Sequence, residues 1–131
     1  ILSMVFSVFF IRTLLQKKWF SLFLYEISVC DGDTAQKMRK IVIDWLKQEN
    51  IVYDKIVFAP EDKLQICLEN NIDVMIEDKV ANIEKISTRL PVICFHAGYN
   101  KHCKNDNIYR VYTWYDIYNL INGSKICRYR L

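Results

Sequence analysis

A three-layer, Rossmann-like α/β domain, with helices covering both faces of a mostly parallel sheet, is what this 131-residue sequence predicts. Three observations carry that prediction. Strand-type runs alternate with amphipathic helical stretches five times, with short connections between them. The strands are nearly continuous apolar runs rather than alternating ones, as expected of strands buried on both faces. Apolar residues make up 52% and aromatics 14%, enough for one packed core in a chain of single-domain length.

The units follow in order from residue 22. LFLYEISVC (22–30) is apolar, aromatic and β-branched, a strand. Ala35, Met38, Ile41, Val42, Trp45 and Leu46 then recur at three- and four-residue spacing, one apolar helix face. Asn50 is placed to end that helix in the left-handed conformation. YDKIVFA (53–59) is the second strand. Pro60 is placed to begin the next helix, with Glu61 and Asp62 in its first turn. Leu64, Cys67 and Leu68 form its buried stripe, and Asn70-Asn71 closes it. DVMIED (73–78) is the third strand, followed by a helix carrying Val80, Ile83, Ile86 and Leu90. PVICF (91–95) is the fourth, with Pro91 at its first residue, where a missing N–H is tolerated. A polar loop, 96–108, leads to a short strand around 109–112. Trp114, Ile117, Tyr118 and Ile121 line a final helix that stops at Asn122-Gly123.

Composition excludes several classes. Eighteen Lys and Arg against fifteen Asp and Glu leave a net charge of +3 without a basic cluster, so no nucleic-acid partner is expected. No Gly-x-Gly-x-x-Gly or Gly-x-x-x-x-Gly-Lys run follows any strand, which argues against dinucleotide and P-loop sites. The five cysteines are odd in number and none is at C-x-x-C spacing, which fits reduced thiols and a cytoplasmic location. His96, His102 and Cys103 crowd one segment, but structural zinc sites draw four ligands from two spaced pairs, so a polar surface loop is expected there.

Residues 1–11 carry no charge before Arg12, a run shorter than the roughly 20 residues of a membrane span and without the basic start of a signal peptide. A membrane anchor is therefore not expected. The chain opens on Ile1 rather than Met, as expected of a sequence that begins partway through a longer one. The predicted organisation is an apolar segment, 1–21, followed by an α/β domain, 22–131.

Ligands of open parallel sheets bind beyond the carboxyl ends of the strands. Glu77-Asp78 ends the third strand, and two adjacent carboxylates there suit a hard divalent cation. Alternatively, Asp78 caps the helix that starts near Lys79. Lys63, early in its helix, opposes the helix dipole, which a bound phosphate or carboxylate would reverse; alternatively, Glu61 and Asp62 compensate it. Asp31-Gly32-Asp33-Thr34 has the letters of a nucleophile with its acid/base partner. An ordinary turn and a helix capped by Asp33 or Thr34 explains it equally well.

The string WLKQENIVYDKIVF, the block EDKLQICLENNIDVMIED, PVICF, the later YN and WYDIY together resemble the haloacid-dehalogenase superfamily. Within it, the chain is similar to the small 5′-nucleotidases of the cytosolic deoxyribonucleotidase type and their bacterial relatives, over roughly residues 25–122. The resemblance implies that Lys63 is catalytic and holds the phosphate, that Glu77 and Asp78 coordinate Mg²⁺, and that the reaction is phosphate-monoester hydrolysis through a phospho-aspartyl enzyme. The implied substrate is a small phosphorylated molecule such as a nucleoside monophosphate. The family's Asp-x-Asp nucleophile motif lies on an earlier strand, ahead of a helical cap, and residues 1–21 contain no Asp. The strand ending at Cys30 matches the family's phosphate-binding Thr/Ser motif, where Cys30-Asp31 stands here with Thr34 shortly after. The resemblance thus implies a haloacid-dehalogenase-like fold without its first motif-bearing strand and cap. It leaves Asp31 and Asp33 as candidate catalytic residues and Thr34 as a candidate phosphate ligand. Weak or absent phosphatase activity is expected, the alternative being a non-catalytic phosphate- or nucleotide-binding module.

Overall fold

In the computed structural model of the chain, residues 22–25, 32–58 and 60–123 are described. The segment 1–21, Cys30, Asp31, Ala59 and Cys127 lie outside them. The chain divides into two compact units, residues 1–61 and 62–131.

In the first unit, β1 (Leu22–Tyr25) pairs in parallel with β2 (Lys55–Phe58), Leu22 opposite Lys55 and Tyr25 opposite Phe58. Between them runs α1 (Gly32–Gln48). Val42, Leu46 and Ile51 are buried, with Trp45, Tyr53, Ile56 and Phe58 packed against them. The Arg39 guanidinium lies 5.7 Å from the Phe58 ring centroid, a cation–π contact. Because α1 begins at Gly32, Asp33 and Thr34 are exposed residues of its first turn and not caps ahead of it.

Asn50 ends α1 as expected, with φ at 52°. The Ile51 N–H then reaches the Leu46 carbonyl at 2.9 Å and the Asn50 N–H reaches Lys47 at 3.1 Å, the pair of bonds that defines a Schellman stop. The same device recurs in the second unit. Asn71 has φ of 53°, Ile72 donates to Cys67 at 2.9 Å and Asn71 to Leu68 at 3.2 Å. In both places Asn takes the left-handed position that its short polar side chain tolerates.

The second unit is a three-stranded parallel sheet ordered β3-β4-β5, from Met75–Glu77, Val92–Phe95 and Ile108–Val111. Glu77 stands opposite Cys94, and Phe95 opposite Val111. The α/β class and the parallel pairing are as the sequence predicts. Helix α2 (Lys63–Glu69) starts later than expected. Its cap is Asp62, whose Oδ1 accepts the N–H groups of Leu64 and Gln65 at 3.0 and 3.3 Å, so Pro60 and Glu61 precede the helix. A carboxylate can satisfy those orphan donors, which a proline ring cannot. Helix α3 (Val80–Ile86) is also shorter than expected. Residues 87–89 turn, and Leu90 joins the core from that turn, its N–H on the Ile86 carbonyl at 2.9 Å. Helix α4 (Trp114–Asn122) opens on a capping box, in which Asp116 donates its N–H to Thr113 Oγ1 and returns its carboxylate to the Thr113 N–H.

The core of this unit is Ile83, Ile86, Val92, Cys94 and Cys103, with Leu64, Met75, Val80, Leu90 and Ile108 against it. Cys67, Cys94 and Cys103 are free and buried, and burial pushes each thiol above its usual range. Among the described residues no helix is long and apolar enough to cross a membrane.

Candidate functional site

Strand β3 delivers Glu77 and then Asp78 to the carboxyl edge of the second unit's sheet, and the two carboxylates have separate environments. Glu77 is buried and accepts four hydrogen bonds. Its Oε2 takes the Lys63 ammonium at 2.8 Å and the Asn82 amide at 2.9 Å. Its Oε1 takes the backbone N–H groups of Asp78 and Lys79 at 3.0 and 3.1 Å. A carboxylate has about four lone-pair sites, so this one is fully engaged. The Lys63–Glu77 contact is a buried ion pair, the side chains 10% and 7% exposed. Helix α3 begins after Lys79 without a side-chain cap, so Asp78 does not serve as one.

Asp78 is exposed. Its Oδ2 accepts the hydroxyl of Tyr99, itself 59% exposed. That bond to the carboxylate, reinforced by partial desolvation and the nearby Asp78 and Glu77 charges, holds the Tyr99 phenol above its ordinary range. The main chain of Asp78 is held by the next residue of the same turn, a short 3₁₀ segment Gly98–Asn100. Asn100 is fully buried, and its Nδ2 donates to the Asp78 carbonyl at 2.8 Å and to the Phe95 carbonyl at 2.9 Å. Its Oδ1 accepts the Ala97 N–H at 3.0 Å and Arg110 Nη1 at 2.9 Å. Arg110, from β5, further binds the carbonyls of Asn100 and Cys103 and donates to Nδ1 of His96. A planar fork of donors suits that arrangement.

The structure therefore brings together Lys63, Glu77 and Asp78, three residues singled out from sequence. Asp33 and Thr34 lie on α1 of the first unit, and Asp31 is outside the described residues. Asn82, Tyr99, Asn100 and Arg110 carry no role in the sequence reading. All four stand only as letters within the span of the family resemblance, Tyr99-Asn100 as its YN. The segment 96–108, expected to be a polar surface loop, contains two buried residues, Asn100 and Cys103. His96 contacts Arg110 and packs against Tyr112 in a tilted arrangement, 4.8 Å between ring centroids.

The chain spans less than half the length of the curated relatives it matches. It is 32% identical over 88 residues to "Putative nucleotidase YqfW" of Bacillus subtilis (strain 168), covering 65% of this chain and 46% of that protein. It is 26% identical over 84 residues to a nucleotidase of Clostridium acetobutylicum, covering 63% of this chain and 44% of that protein. No solved structure matches it significantly. The family model described as 5′ nucleotidase, deoxy (pyrimidine), cytosolic type C protein matches residues 30–127, most of the sequence and all of the Lys63–Glu77–Asp78 constellation. The chain belongs to that family of 5′-nucleotidases.

Proposed function

We propose that the second unit carries the phosphate- and Mg²⁺-holding half of a 5′-nucleotidase-type phosphomonoester hydrolase, acting on a small phosphorylated molecule such as a nucleoside monophosphate. The observation that supports this most is the buried Lys63–Glu77 pair beside an exposed Asp78 carboxylate at one strand end. The donor set fits a hard cation, being carboxylate and carbonyl oxygen. With its four acceptor positions engaged, Glu77 orients Lys63 and the Asp78 backbone, and Asp78 is the residue that holds Mg²⁺. Bound there, Mg²⁺ offsets negative charge on a transferring phosphoryl group. Lys63 presents its ammonium to a phosphate oxygen from a position fixed by Glu77, which keeps the reorganisation needed during the reaction small.

The covalent step requires an aspartate oxygen to bond phosphorus as the alcohol leaves, after which water releases phosphate. The sequence has one Asp-x-Asp, Asp31-Gly32-Asp33, followed by Thr34. By sequence, Asp31 is this chain's candidate nucleophile, Asp33 its acid/base partner and Thr34 a candidate phosphate ligand. With no Asp in residues 1–21, turnover is expected to be slow, and binding without turnover is the second reading.

Titration calorimetry with Mg²⁺ and a nucleoside 5′-monophosphate, alongside phosphate release, tests both. Expected are binding by the unaltered chain, loss of Mg²⁺ binding in Asp78→Asn, and loss of nucleotide binding in Lys63→Met. Unchanged binding in both variants defeats the proposal. Release that is Mg²⁺-dependent and abolished by Asp31→Asn identifies an enzyme; binding with no product identifies a binding module.

A further inference from the structure

Away from Asp78, the second unit gathers a different set of donors. Glu84 projects from α3, and His102 and Cys103 follow the 3₁₀ segment. His102 Nε2 lies 3.9 Å from Cys103 Sγ and 3.9 Å from Glu84 Oε1, and the three donor atoms all fall within 4.8 Å of one another. We propose that Glu84, His102 and Cys103 form a binding site for a divalent transition-metal ion of the Zn²⁺ class. Sequence spacing conceals it, because Glu84 comes from a helix far from the His102-Cys103 pair and His96 takes no part.

The chemistry favours such an ion over Mg²⁺ or Ca²⁺, since one sulfur, one imidazole nitrogen and one carboxylate oxygen are borderline-soft donors. Three protein ligands with a water in the fourth position is an established zinc arrangement. In a tetrahedral site with Zn–S near 2.3 Å and Zn–N near 2.0–2.1 Å, donor atoms stand about 3.5 Å apart. The observed separations reach that with side-chain movement of about an ångström, and both Glu84 and His102 are exposed enough (61%) to make it. Charge also balances. A thiolate and a carboxylate offset the divalent ion, and the Cys103 proton is released on binding.

The buried partner is held in advance. Cys103 donates its N–H to the Asn100 carbonyl at 3.0 Å, and its own carbonyl accepts Arg110 at 3.0 Å. Beyond it, Asn105 and Asn107 bind the Ser87 hydroxyl and carbonyl, each at 2.8 Å, tying the loop to the end of α3. A metal here would fasten the segment that carries Tyr99 and Asn100 to that helix.

The test is a Co²⁺ titration of the full chain in excess Mg²⁺, reading the near-ultraviolet thiolate-to-cobalt charge-transfer band, with Zn²⁺ added to displace it. Expected are one cobalt per chain, bleaching by Zn²⁺, and loss of the band in Cys103→Ser. Glu84→Gln and His102→Gln, both at exposed positions, are expected to weaken binding at least about tenfold, the lower end of what even outer-shell changes cost a metal site. Asp78→Asn should leave the titration unchanged. A chain without the band, a band that persists in Cys103→Ser, or affinity unaltered in both the Glu84 and His102 variants overturns the proposal. Should Cys103→Ser fail to fold by circular dichroism, the two exposed variants decide it.

Discussion

Asn100 grips the main chain of Asp78, its side-chain amide donating to the Asp78 carbonyl at 2.8 Å, while neighbouring Tyr99 donates to the Asp78 carboxylate. One dipeptide thus fixes both the backbone and the side chain of the exposed acid. Asn100 in turn is fixed by Arg110, so that the end of β3 at Asp78, β4 at Phe95 and β5 at Arg110 meet through a single buried amide.

Asn100→Ala should therefore be costly. It strands the Asp78 and Phe95 carbonyls and removes an acceptor from Arg110, each buried unsatisfied group being worth about 1–3 kcal/mol. We expect a loss of roughly 3 kcal/mol or more in urea unfolding. Asn100→Asp should be no better, because its carboxylate would face two carbonyl oxygens. A variant of either kind with native stability would contradict the role assigned to this amide.

The Lys63–Glu77 pair should show strong coupling. Lys63→Met leaves a buried carboxylate without its cation, which typically costs about 3–5 kcal/mol. Adding Glu77→Gln removes the stranded charge, so the double variant should lose clearly less than the sum of the single ones. Urea unfolding of the four proteins measures the coupling, and simple additivity would show that the contact carries little energy.

Tyr99 is exposed and should act on the ion rather than the fold. Carboxylates that hold metals are usually oriented by a hydrogen bond from outside the ligand set, and losing such a bond costs about 10–100-fold in affinity. Tyr99→Phe is expected to weaken Mg²⁺ binding by about tenfold in calorimetry with unfolding unchanged. Equal Mg²⁺ affinity would separate Tyr99 from the site.

Acid should loosen the second unit through its helix caps. Lys85 donates to Asp62 at 2.8 Å, and that bond, with the N–H of Gln65, holds the Asp62 carboxyl below its ordinary 3.8. The N–H of Tyr112 and the Thr113 hydroxyl do the same for Asp116. A folded-state value below the unfolded one means stability that is complete above about pH 4 and is lost as pH falls through the folded value. Asp62→Asn and Asp116→Asn should each flatten the acid side of the stability profile while changing little near pH 7 in slope. An acid limb as steep as that of the unaltered chain would assign the effect elsewhere.

What was legible in the sequence followed physical type. Apolar periodicity found the elements, because strand and helix burial leaves a local signature: Val42 and Leu46 on α1, Ile83 and Ile86 on α3, Ile117 on α4 are all buried. Asn50 and Asn71 marked helix ends because few other residues accept a positive φ. Element starts were less legible. Pro60 looked like a helix beginning, yet the Asp62 side chain decides the matter by capping. Lys63 and the Glu77-Asp78 doublet were visible as charges in awkward places. Their division of labour was not, since it depends on Asn82, Tyr99 and Asn100 arriving from other elements. Nor was the Glu84–His102–Cys103 cluster, whose parts are 18 residues apart in the chain and adjacent only after α3 and the loop have packed.

The sealed thiols carry a consequence of their own. Cys67 and Cys94 are wholly shielded from solvent, and their raised ionisation keeps them as poor nucleophiles while the fold is closed. Any opening of the sheet turns inert packing groups into reactive ones. Alkylation rates at these two positions therefore report how often the second unit breathes, and oxidation at Cys67 or Cys94 marks a chain whose second unit has opened.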